Sequence, residues 1–192
     1  MTRIEQLDQI VSQYDLNGHP FYQDWRMGTL PVDKLRDYAS EYGQFIGTID
    51  EGWDRIGFPH YAEEERVHEK LWAQFQLEIA SGAPSRRPQT ETLVTAARNA
   101  FTQAPEAVGA LYSFEAQQPN TSRSKLDGLN EHYSISEDGK EYFRVHADDF
   151  AEAEDLRKVV AEMSDEDFAR AKSACAVVCA AMWSALDGVY YN

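Results

Sequence analysis

Apolar residues recur along this chain at three- and four-residue spacing almost from end to end, the repeat of helices that bury one face. Alternating runs of β-branched residues are few, so no sheet is predicted. A first helix is predicted over about residues 3–15, with Ile4, Leu7, Ile10, Val11 and Tyr14 as its stripe. "NGHP" ends it, and a short helix, "FYQDWRMG", stops at Gly28. Residues 29–57 read as one long helix with Pro31 near its first turn, where a missing N–H does no harm. Gly43, Gly47 and Gly52 lie inside it and are costly there. Either close helix contact or room for a ligand explains them.

"FP" at 58–59 precedes a third long helix to about residue 80. The linker "SGAPSRRPQTE" follows, too short to divide the chain into domains. Helices are then predicted over about 91–103 and 105–117, and from a cap at Asn120 to Ser122 to about 133. One more runs over 140–163, and "SDED" has the capping-box pattern that opens a final helix through "WSALDGVYY". The pattern is that of a single all-α domain over residues 1–192. One position breaks it. Val108, Leu111 and Tyr112 share a face, and Glu115 falls on that face one turn later.

Composition narrows the function. The 192 residues suffice for one sizeable core. A formal net charge of −15 argues against nucleic acid and anionic membranes, which need clustered Lys and Arg. No apolar run approaches the roughly 18 residues of a membrane span. The N-terminus lacks the continuous apolar core of a signal peptide, so a cytoplasmic protein is expected. Cys175 and Cys179 lie four apart; on a helix they share a face without disulfide geometry and read as small core residues.

The acidic and histidine residues carry the chemistry. Glu64 and Glu65 stand four and three residues before His68, and His146 stands one turn before Asp149, spacings that place each pair on one helix face. Helical bundles build carboxylate-bridged di-iron sites from such residues. Oxygen and imidazole ligands suit iron or manganese and leave positions open for dioxygen. In so acidic a chain, spacing alone does not separate a metal site from a solvated face. Glu115 is the sharper signal, because a buried carboxylate must be ligated, paired or protonated; Lys125 is its rival partner. Tyr22, Trp25, Tyr38, Tyr42, Trp53, Tyr112 and Phe114 form a set that either lines a cavity or packs a core. His19 and His60 adjoin prolines and read as structural, and His132 as a partner for a helix C-terminus. There is no Gly-rich phosphate loop, G-x-S-x-G or C-x-x-C.

The blocks "HPFYQDWRMGTLPVDKLRDYASEYGQFI", "HEKLWAQF", "ALYSFEAQQPNTSRSKLDGL", "YFRVH" and "WSALDGVY" resemble, in order, those of the haem-oxygenase-like di-iron oxidases and oxygenases. The resemblance is nearest to the CADD-type branch of self-sacrificing para-aminobenzoate synthases. The TenA and PqqC branches share the fold and match less well. The resemblance implies an all-α, haem-oxygenase-like bundle of seven or eight helices. It implies an iron-dependent oxidase or oxygenase with one or two ions, or manganese, and dioxygen as co-substrate. The substrate would be a small molecule, and a homodimer is the family expectation.

Residue by residue, Glu115, His68 and His146 match family ligands. Tyr22 falls at the sacrificed tyrosine, Lys125 at the implicated amino donor, and Tyr38 at another active-site tyrosine. In a strict His-x3-Asp-x2-His frame, however, Phe150 and Ala153 replace the last two ligands. A one-residue shift brings in Asp149 and leaves Glu152 as a poor substitute for the last histidine. Tyr61 stands where the family has its first glutamate, so Glu64 or Glu65 would take that role. The alternative is a family member that binds a small organic ligand without a complete di-iron site, with Glu115 paired to Lys125 or a tyrosine hydroxyl.

Overall fold

In the computed structural model, which describes residues 1–192, the first helix begins with a reciprocal cap. The Thr2 hydroxyl accepts the Glu5 N–H, and the Glu5 carboxylate accepts the Thr2 N–H, satisfying two donors that a helix start leaves free. Helix α1 covers Arg3–Gln13. After a short 3-10 turn, α2 covers Pro20–Arg26 and is capped by His19, whose Nδ1 accepts the Phe21 N–H. The Nε2–H of His19 then donates to Asp187 at 3.1 Å, which gives this buried histidine the structural place expected of it.

The remaining helices are α3 Val32–Ile46, α4 Ile49–Ile56, α5 Pro59–Glu78 and α6 Pro88–Ala100. They are followed by α7 Ala104–Glu115, α8 Gln118–His132, α9 Glu137–His146, α10 Ala151–Glu162 and α11 Asp165–Tyr191. No strand is present. Two predicted helices are divided. The 29–57 segment breaks at Gly47 and Thr48, where the Thr48 hydroxyl donates to the Phe45 carbonyl at 2.7 Å and closes the end of α3. The 140–163 segment breaks over residues 147–150, where Asp149 accepts the Ala151 N–H and starts α10. In addition, α8 begins at Gln118, so Thr121 and Ser122 lie inside it, buried, and not at its cap.

The glycines of the first long segment mark close contact, not ligand space. A Cβ on Gly43 would lie 2.8 Å from Trp72 Nε1, and one on Gly52 2.6 Å from the Phe101 ring. Trp72 Nε1 donates to the Ala39 carbonyl at 2.9 Å and locks α5 to α3. Helix α11 packs mainly against α7 and α6, with α1 and α3 alongside. Gly109 permits its closest approach: a Cβ there would fall 1.8 Å from the Ala171 carbonyl oxygen. By length and composition α11 is apolar enough to cross a membrane, contrary to the expectation that no such stretch exists. Half of its most apolar window is buried inside the bundle, so it serves as the core helix. Cys175 and Cys179 are both buried in it as free thiols.

Candidate metal centre

Four helices deliver five ligand-type side chains to one place. Helix α5 contributes Glu65 and His68, one turn apart, with Nδ1 of His68 3.0 Å from Glu65 Oε1. Helix α7 ends on Glu115, α9 ends on His146, and α10 carries Glu152 in its first turn. The ligand atoms of Glu65, His68 and His146 lie within 4.8 Å of one another, and so do those of Glu65, Glu115 and Glu152. Glu65 belongs to both groups. All but His68 are at most 4% exposed. The His68 and His146 rings stand 4.2 Å apart between centroids.

The hydrogen bonds of this cluster are incomplete in a particular way. His146 Nδ1 lies 2.6 Å from the Tyr142 carbonyl oxygen, so Nδ1 carries the proton and Nε2 keeps its lone pair. That Nε2 has no partner, and neither do Glu65 Oε2, Glu115 Oε1 and Glu152 Oε1. Unmet buried acceptors are expensive singly, and here four point into one volume. Burial, then the charges of Glu152 and Glu65, push the Glu115 carboxyl well above its ordinary range. Burial and Glu65 push Glu152 up to about 9. Burial, then His68, pull His146 down to about 3. The indole N–H of Trp53 faces Glu115 and favours its charged form, though outside hydrogen-bond geometry. Divalent cations would satisfy all of these groups at once. Three carboxyl groups and two imidazoles are ligand types that suit iron or manganese.

Beside the cluster is a chamber of aromatic rings around one lysine. Lys125, from α8, is 2% exposed. Its Nζ lies 4.7 Å from the Tyr22 ring centroid, 5.5 Å from Tyr42, 5.7 Å from Tyr38 and 6.0 Å from Phe143. Burial alone brings Lys125 down to about 7. The Tyr22 and Tyr38 hydroxyls are 2.8 Å apart, and burial raises both phenols. Tyr142 joins chamber to cluster. Its hydroxyl accepts from Gln118 Nε2 at 2.8 Å, its carbonyl holds His146, and the charges of Glu65 and Glu115 act on it.

The sequence-derived candidates divide accordingly. Glu65, His68, Glu115 and His146 come together, and Tyr22, Tyr38 and Lys125 gather next to them. Glu64 does not join them; it is exposed on α5, because neighbouring helix positions point in different directions. Asp149 is also exposed, and its carboxylate accepts the Ala151 N–H at the start of α10. Glu115 makes no ion pair with Lys125. Tyr61 remains on the inner face of α5 and donates to Asp155 Oδ2 at 2.9 Å. Of the aromatic set, Tyr22, Trp25, Tyr38 and Tyr42 pack together, whereas Tyr112 turns away to donate to Asp8. Two residues stand out only in three dimensions. In the sequence Glu152 reads only as a poor substitute for a histidine, and Tyr142 gives no signal beyond an aromatic one turn before a histidine.

The family model of the iron-containing redox enzymes matches residues 60–185. A 4-aminobenzoate synthase of Nitrosomonas europaea is 28% identical over 98% of this chain and 91% of its own length. Among solved structures, a domain of unknown function with a haem-oxygenase-like fold from Shewanella denitrificans superposes with a TM-score of 0.79. It shares 16% identity, over 100% of this chain and 93% of that one. A TenA homologue from Pseudomonas syringae pv. tomato gives a TM-score of 0.77 at 15% identity, again over 100% and 93%. At that identity both show the haem-oxygenase-like fold and nothing finer.

Proposed function

This chain belongs to the iron-containing redox enzymes, and on that footing we propose that it is a dioxygen-using oxidase that forms an aminobenzoate-type small molecule, with its own Tyr22 and Lys125 as source. The observation that carries the reading is the set of four unpartnered donor atoms on Glu65, Glu115, His146 and Glu152, beside a buried lysine seated over a tyrosine ring. In this reading Glu65, His68 and His146 hold one ion, and Glu65, Glu115 and Glu152 hold a second. Iron is the expected metal and manganese the alternative occupant. Bound there, the ions would supply the electrons and open positions that dioxygen activation requires.

The chain's own groups do the rest. The Tyr142 carbonyl keeps the His146 proton on Nδ1, so Nε2 is presented as a neutral ligand. The three carboxylates offset the charge of the ions without any exposed counter-ion. Lys125, lowered to about 7, exists in good part as free amine at neutral pH, with a lone pair to offer. Tyr38 fixes the Tyr22 phenol through the 2.8 Å hydroxyl contact. The rings of Tyr42 and Phe143 enclose the same amine and keep water away from it. Support for aminobenzoate formation comes from the matching relatives, which are 4-aminobenzoate synthases.

The test is metal content. Protein made in iron-supplemented cells, or loaded anaerobically with ferrous ion, is expected to hold close to two ions per chain. Less than about a tenth of an equivalent after both treatments would overturn the oxidase reading. The organic-ligand reading would then take its place.

A further inference from the structure

Between α3, α6 and α11 lies a narrow cavity of about 10 Å³, room for the centre of about one water-sized molecule. Six of its eight lining residues are hydrophobic. Tyr38 and Tyr42 form one wall, and Leu93, Leu186 and Val189 form much of the rest. Glu41 and Thr90 are the two polar members. The Glu41 carboxylate is already engaged with the α5–α6 linker: Oε1 accepts from Ser85 N at 2.6 Å and Ser85 Oγ at 2.8 Å. That leaves the Thr90 hydroxyl, which is 1% exposed and has no partner.

A buried water needs two to four polar partners. Glu41 Oε2 already accepts from Gln44 Nε2 and Arg87 N, both at 3.4 Å, and the Thr90 hydroxyl is the one unpartnered buried polar atom among the lining residues. Its size and walls suit a small apolar molecule instead. Its position is equally particular. Tyr42 stacks on Tyr38 at 4.9 Å, and both rings also enclose Lys125. The cavity therefore shares the Tyr38–Tyr42 wall with the tyrosine–lysine chamber. We propose that this cavity is a dioxygen site, a holding place for the gas against the Tyr38–Tyr42 wall. The assignment rests on the oxidase reading for its purpose, but its krypton test does not.

Crystals pressurised with krypton are expected to show one anomalous peak bounded by Leu93, Leu186 and Val189. Ala185→Leu, which fills the cavity from α11, should remove the peak. Thr90→Val should retain it, because an apolar gas does not need the hydroxyl. Stopped-flow oxidation of the ferrous-loaded protein gives a second reading: Ala185→Leu should slow it about tenfold at low dioxygen, with iron content unchanged. Val189→Ile is the milder filling variant should Ala185→Leu not fold. An ordered water in place of krypton overturns the assignment, as does a filled cavity with an unchanged oxidation rate. A chain that takes up no iron overturns the oxidase reading instead, and is recognised from metal content before any gas is added.

Discussion

The His146 imidazole and the Tyr142 carbonyl, one turn earlier in α9, are joined at 2.6 Å, and this bond selects the nitrogen that stays free. With Nδ1 occupied, Nε2 is the only lone pair the ring can offer. His146→Ala should therefore reduce metal content from about two ions to about one. Glu152→Gln should remove the other ion, and Glu65→Gln should lose most of both, since Glu65 belongs to both groups. Metal analysis after anaerobic loading checks all three. Two full equivalents in His146→Ala would remove this histidine from the ligand set.

The metal-free protein should lose stability as pH rises from about 7 to 9. Glu115 and Glu152 are held protonated far above their unfolded values, so the native chain holds more protons than the unfolded one in this range. Lys125, lowered to about 7, acts in the opposite sense but supplies one group against two. Each net proton contributes a slope of about 1.4 kcal/mol per pH unit. Thermal melts across this range should fall for the metal-free protein and flatten with saturating manganese, which displaces the protons. The double variant Glu115→Gln/Glu152→Gln should reverse the slope between about pH 7 and 8, where Lys125 then dominates. Nearer pH 9 the buried Cys175 thiol and tyrosines, held protonated in the native chain, oppose it.

Lys125→Met should stabilise the protein while ending aminobenzoate formation. A buried amine lowered from 10.5 to about 7 costs the native state its solvation at every pH below the unfolded value. The gain should be a few kcal/mol below pH 7 and should vanish by about pH 10.5. Denaturant melts at pH 6.5 and 10 read the difference. A loss of stability at pH 6.5 would mean that the ring contacts of Lys125 outweigh its burial.

Tyr22→Phe should leave the fold intact and abolish aminobenzoate. The variant keeps the ring in place and removes one hydroxyl bonded only to Tyr38, at a cost of about 1 kcal/mol. Peptide mass spectrometry after aerobic incubation should find the wild-type chain altered at residue 22. Continued product from Tyr22→Phe would exclude Tyr22 as the source.

Gly109→Ala should fail to give the native fold. Its Cβ would fall 1.8 Å from the Ala171 backbone oxygen, so α7 and α11 would have to separate. Because Glu115 ends α7, any folded fraction should also bind metal poorly. Circular dichroism and metal content together check this.

What could be read in the sequence, and what could not, follows from periodicity. Glu115 was legible because a carboxylate in an apolar stripe violates the pattern that surrounds it. The fold class was legible for the same reason, since three-and-four spacing extends over most of the chain. The choice between Glu64 and Glu65 was not, because each has a helical spacing to His68 and only packing selects the inner face. Glu152 reads in the sequence only as a poor substitute for a histidine, because the break after His146 obscures its direction. Four residues outside the helix reset the phase of α10, and Asp149, the obvious candidate, is consumed in starting it. The cavity beside Tyr42 was invisible, since it is set by the offset of α3, α6 and α11, which no local pattern encodes.

Tyr61 and Glu65 are successive positions on one face of α5, and only the second carries an acid. A step of one turn moves a side chain about 5.4 Å along the helix axis while keeping its direction. Glu152, on a different helix, stands one residue before Ala153, the last position of the His-x3-Asp-x2-His frame, and still reaches the same centre. A bundle of this kind thus behaves like a set of sliding rails. A ligand moved one turn along such a rail keeps its direction, and its tip can still meet the others. The centre is then defined by which atoms converge rather than by a fixed spacing along the chain.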